Sequence, residues 1–165
     1  MDESKNEKLS KKILNKKNKI VYAVISSIII IALAFSINYK YQKNKILKFD
    51  SNFQASYATY ARGLLNILKN LNNYESQLEA KQLIIKGIDI AKSNEDNVPK
   101  VLKENYENYV YSLEQYSINL DDTGEINSYF LLIMSKLKDT EKKYNISKKD
   151  LESNMEEKLN EYGIS

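Results

Sequence analysis

Ile20–Ile37 reads IVYAVISSIIIIALAFSI, 18 consecutive residues without a charge, a glycine or a proline. As a helix it is about 27 Å long, close to the roughly 30 Å hydrocarbon thickness of a bilayer. Ser26, Ser27 and Ser36 do not disqualify it, because a serine hydroxyl can bond back to the preceding helical turn. The stretch divides the chain into a basic tail (1–19), a transmembrane helix (20–39) and a following domain (40–165).

The flanking charges set a direction. The tail carries seven lysines against Asp2, Glu3 and Glu7, whereas Lys40, Lys43, Lys45 and Lys48 follow the span. That imbalance predicts a cytoplasmic N-terminus and an extracytoplasmic C-terminal domain in the cell membrane. Lys19 on one side, and Tyr39, Lys40 and Tyr41 on the other, are the membrane-interface candidates: amphipathic rings and snorkelling amines suit the headgroup layer. A cleaved signal peptide competes with this reading. A lysine-rich start, Ile20–Ile31 as the apolar region and Ala32-Leu33-Ala34 as the cut site fit that template, and cleavage near Ala34 would release a secreted helical protein. The apolar run continues past that site to Ile37, which favours the span.

Composition narrows the function. The net charge of +3 is carried by the tail; residues 38–165 hold 17 lysines and Arg62 against 19 acids. The basic excess therefore suits anionic headgroups near the tail and indicates no nucleic-acid surface. There is no cysteine and no histidine, so disulfides and the usual ligands of zinc, copper and haem are missing, and no cofactor is expected. The heavy use of Lys, Asn, Ile and Tyr reads as the codon bias of an AT-rich bacterial genome.

Residues 40–165 read as helices. Ile46, Phe49, Phe53, Tyr57, Tyr60, Leu64, Ile67 and Leu71 are spaced by threes and fours, a sustained seam of the coiled-coil kind. Asp50-Ser51-Asn52 is the expected kink, and Asn70, Asn72 and Asn73 the expected stop, since Asn tolerates the left-handed conformation. A second helix is predicted from about Tyr74 to Lys92, with Tyr74, Leu78, Ile84, Ile85, Ile88 and Ala91 on its buried face. After the loop 93–99, Leu102, Tyr106, Tyr109, Leu113, Tyr116 and Leu120 form a third seam. Asp122 and Glu125 have the spacing of a capping box for a fourth helix bearing Ile126, Phe130, Ile133, Leu137 and Tyr144. Ser147 and Asp150 repeat that spacing before a short stripe of Leu151, Met155, Leu159 and Tyr162. The fold class is thus all-α: a transmembrane helix continuing into an up-down bundle of about four helices, closed by a short C-terminal one.

No motif carries chemistry. DDTGE (121–125) lacks the alternating acids and distal Glu of a calcium loop and is better explained as a turn before a capped helix. No glycine-rich phosphate loop and no nucleophile–base pair is recognisable, so an enzyme is not expected. Two pairs off the core stripes stand out: Leu83 with Ile90, and Tyr111 with Ile118, each seven residues apart. They are either buried in a crowded bundle or form a docking strip for a partner. The reading is a single-pass, membrane-anchored interaction module whose partners are the bilayer and another envelope protein or a second copy. The alternative from another class is a bundle that captures a small molecule or peptide between its helices.

Overall fold

A computed structural model describes the backbone of residues 3–70, 72–119 and 123–163, and the side chains of 19, 21–70, 72–116 and 125–163. The fold is all-α: α1 (Glu3–Lys69), α2 (Tyr74–Ser93), α3 (Lys103–Asn119), α4 (Thr123–Lys143) and α5 (Lys148–Glu161), with two short 3-10 turns between α2 and α3. No strand occurs among the described residues. The chain forms two compact units, Met1–Tyr41 and Gln42–Ser165. Leu71, Leu120, Asp121 and Asp122 lie outside the described residues.

In the first unit, α1 is the one helix among the described residues that is long and apolar enough to cross a membrane. Every side chain from Val21 to Tyr41 is exposed, including Phe35 and the run Ile28–Ile31. Ser27 Oγ donates to the Ala23 carbonyl at 2.9 Å, which meets the hydroxyl's hydrogen-bonding need inside an apolar helix.

The second unit is organised by the rest of α1. Ile46, Phe49, Phe53 and Tyr60 are buried, with Tyr57, Leu64 and Ile67 packed half-buried beside them, so the seam read from the sequence is the core seam. Leu47, Ser51 and Ala55 are buried too. Each stands two residues from Phe49 or Phe53, about 200° around the helix, so α1 is covered on opposite faces. The expected kink at Asp50-Ser51-Asn52 does not interrupt the helix, because all three side chains are enclosed and hydrogen-bonded.

α2 returns antiparallel to α1 along a line of small residues. A Cβ on Gly63 would come 2.8 Å from the Ala80 carbonyl oxygen, and one on Gly87 would come 2.8 Å from the Tyr60 nitrogen. With Ala80 and Ala91 these residues let the two backbones close up, and Ser56 Oγ then reaches the Gly87 carbonyl at 2.9 Å. This close line rotates the buried face of α2 away from the predicted one. Ile84, Ile88 and Ala91 are buried as expected, but Tyr74, Leu78 and Ile85 lie about 140–180° from Gly87 around the helix and are exposed.

α3 and α4 complete the core. Leu102, Tyr106, Tyr109, Leu113, Ile126, Ile133 and Leu137 are buried as the two seams predict. Phe53 meets Tyr109 edge-on and Phe130 in a stack, both at 5.1 Å between ring centroids, geometries that suit aromatic quadrupoles. α4 ends at Asn145, the one described non-glycine residue with positive φ (48°). Asn145 N–H donates to the Lys142 carbonyl and Ile146 N–H to that of Glu141, a Schellman closure. The left-handed asparagine expected near residue 70 is therefore found here, while Asn73 instead caps α2 by accepting from Ser76 N–H.

α5 begins with the capping box predicted for Ser147 and Asp150. It lies alongside α1, tied by Lys43 to Asp150 at 3.2 Å and by the Tyr162 hydroxyl to Asn52 Oδ1 at 3.4 Å. None of its side chains is fully buried.

Candidate functional site

The four docking candidates do not form one strip. Ile90 is 3% exposed and belongs to the core, which corrects its reading as a contact residue. Leu83 is half-buried and lines a groove with Arg62, Lys86 and Gly163. Tyr111 is 61% exposed on α3. The side chain of Ile118 lies outside the described residues. The ion pair of Lys92 with Glu114 places α3 on the Lys92 side of α2, and Leu83 is nine residues, a half-turn, from Lys92. Leu83 and Tyr111 therefore lie on opposite sides of α2, a difference that seven-residue spacing within each helix cannot reveal. The interface candidates Lys19, Tyr39, Lys40 and Tyr41 are all exposed.

The apolar surface that the bundle does present is elsewhere. Tyr74, Leu78 and Ile85, at 80%, 49% and 56% exposure, make one stripe along α2. Leu65 and Leu68 are exposed on the last turns of α1, just before the α1–α2 turn. The sequence reading assigned the α2 residues to the core because their period matches that of Ile84 and Ile88; the glycine seam decides between them.

The polar interior is built around Asn94, which the sequence placed in a simple loop. Fully buried, it donates from Nδ2 to the Phe49 carbonyl at 2.9 Å and accepts at Oδ1 from Asn52 and Asn97. It joins the end of α2 to the centre of α1. Tyr106 OH donates to the Ala91 carbonyl at 2.8 Å. Burial pushes the Tyr60, Tyr106 and Tyr109 hydroxyls up, so they stay protonated and serve as hydrogen-bonding or packing groups.

Two acids stand apart from these networks. Asp50 is 1% exposed, and both its oxygens accept from Gln54 Nε2, at 3.0 and 3.1 Å. Burial raises its pKa, and the Gln54 bond only partly opposes this. Glu141 on α4 is raised as well, first by burial and then by the negative charge of Asp50, with Lys138 acting against the shift. Among the described residues no three metal-ligating side chains converge.

Open grooves mark the surface of the described residues. One, about 690 Å³, is bounded by the start of the second unit, the turns before α3 and the end of α4. A second, about 550 Å³, lies between Gln54 and the Leu151, Met155 and Leu159 stripe of α5. A third, about 390 Å³, is the one that Leu83 lines. No family model, no curated relative and no solved structure matches the chain.

Proposed function

We propose that this is a single-pass protein of a bacterial cell membrane, with its N-terminus cytoplasmic, whose extracytoplasmic bundle works by binding another envelope protein or a second copy. The observation that carries the reading is the segment Val21–Ile37, in which no apolar side chain is covered by protein. A soluble fold would bury such a helix; a bilayer supplies the missing cover. The lysine imbalance supports the orientation.

Topology is tested with cysteines, since the chain has none of its own. A cysteine replacing Ser165 should react with a membrane-impermeant thiol reagent on intact cells, and one replacing Ser4 should not. Reversed labelling overturns the orientation, and a released product beginning at Phe35 establishes the secreted alternative.

The exposed apolar stripe of α2 is the surface that favours a protein partner over a ligand captured inside the bundle. Leu78→Glu and Ile85→Glu should leave the stability of the bundle within about 0.5 kcal/mol of the parent, because neither side chain fills the core. Both should abolish the crosslinked partner or dimer band seen with the parent in native membranes. An unchanged band would overturn this docking surface.

A further inference from the structure

The 690 Å³ groove gathers charge from three separate parts of the chain. Lys45 comes from α1, Lys100 from the turn before α3, and Lys136 and Lys143 from α4, against a single carboxylate, Asp139. Lys143 stands in the last turn of α4, where a cation complements the helix dipole and needs no further reason. That explanation does not extend to Lys45, Lys100 or Lys136, none of which forms an ion pair among the described residues. Four lysines from three parts of the chain thus line one cleft beside a single acid, and an anion seated there would meet an excess of positive charge.

The walls suggest which anion. Ile46, Val98, Pro99 and Tyr144 line the same groove, and Val101 stands 68% exposed at its edge. A phosphate joined to an apolar body suits such a site better than a free ion does. The groove's volume, about 690 Å³, is within the range of sites that hold small organic groups. Connectivity then limits the source. Gln42, which lines the groove, is five residues beyond Ile37, at most about 18 Å of extended chain from the last apolar residue of the span.

We propose that this groove binds the headgroup of an anionic glycerophospholipid of the leaflet next to the bundle, with the lysines around the phosphate and Val101 and Pro99 toward the acyl region. The proposal rests on the membrane-anchored reading above. It adds that the bundle has its own lipid site, distinct from the basic tail on the other side of the span.

The test uses the full chain in lipid nanodiscs. Val101→Cys carries an environment-sensitive fluorophore at the groove, and Tyr74→Cys carries it on α2 as a control. In discs containing phosphatidylglycerol, emission at position 101 should shift to the blue relative to discs of phosphatidylcholine alone, and emission at position 74 should not. Neutralising Lys45, Lys136 and Lys143 with glutamine should remove the shift while leaving the thermal midpoint in place. Phosphatidylglycerol retained through purification should fall about fivefold for each lysine replaced. An equal shift in phosphatidylcholine, no shift in either lipid, or a shift that survives the lysine substitutions would each overturn the proposal. So would the same shift produced by glycerol phosphate added to phosphatidylcholine discs, since a soluble anion would then suffice. A chain that does not co-elute with the discs would overturn the anchored reading together with the lipid site; a chain that co-elutes without the shift would overturn the lipid site alone.

Discussion

α1 contains two phenylalanines 18 residues apart, Phe35 and Phe53, in opposite circumstances. Phe35 is exposed to whatever surrounds the helix, and Phe53 is enclosed by Tyr106, Tyr109 and Phe130. The first stretch of the helix is apolar on all sides, and its large side chains are exposed. The second is covered on all sides yet carries Asp50, Ser51, Asn52, Ser56 and Thr59 among its buried residues. Hydrophobicity alone would rank the two stretches the wrong way round for burial. The proposed membrane span accounts for the difference by solvent. A lipid-facing helix must be apolar on every face, whereas a helix at the centre of a protein can place polar groups wherever a partner meets their hydrogen bonds.

The contrast is broken most directly by removing the same ring in each stretch. Phe53→Ala should cost the bundle about 3–5 kcal/mol, from lost transfer energy and the cavity left between α1, α3 and α4. Phe35→Ala should change its stability in detergent by less than about 0.5 kcal/mol. Chemical denaturation followed by circular dichroism measures both, and equal effects would mean that the two stretches are not separate environments.

A smaller effect is expected where α1 is tightly packed against its neighbour. Gly87→Ala gains helix propensity, but its new methyl meets the Tyr60 backbone and the Ser56 carbonyl. Backbone atoms cannot swing aside, so the helices must separate, and a net loss of about 1–3 kcal/mol should appear as a lower thermal midpoint.

The smallest change sharpens the role of the buried polar groups. Because the folded-state pKa of Asp50 is raised, the folded chain keeps this proton to higher pH than the unfolded chain does. Stability is thus fully present below the ordinary carboxylate pKa and falls as pH rises from there through the raised folded value. Asp50→Asn keeps an acceptor for Gln54 and removes the charge. It should raise the thermal midpoint at neutral pH and lessen the fall in stability with pH. An unchanged pH profile would show that Asp50 ionises freely in the folded chain.

Much of this architecture is legible in the sequence because it rests on local periodicity. The seams of α1, α3 and α4, the uninterrupted apolar stretch and the Ser147–Asp150 cap all depend on residues within a turn or two of each other. What escapes notice depends on meetings between distant segments. Asn94 looks like any loop asparagine until Phe49 and Asn52 are brought beside it. The face of α2 is chosen by two glycines whose significance lies in the closeness of another helix. The docking pairs were placed by spacing within each helix, and only the Lys92–Glu114 contact shows that Leu83 and Tyr111 lie apart. Lys45, Lys100 and Lys136 are far apart in the chain and form a groove only after folding.

The half-buried contacts of α5 have a consequence for the order in which the protein opens. Its Leu151, Met155 and Leu159 each leave part of their surface in solvent, and its ends are fastened by Lys43 and by Tyr162 with Lys86. Breaking those few polar contacts frees the whole segment without disturbing the rings around Phe53. Amide protons of residues 148–161 should therefore exchange with solvent through a sub-global opening, well before those of α3. In that opened state Gln54 on α1 loses its neighbours Leu151, Met155 and Leu159, while the rings around Phe53 stay packed. The protein thus has a built-in hierarchy of cooperativity, with α5 the first helix to leave.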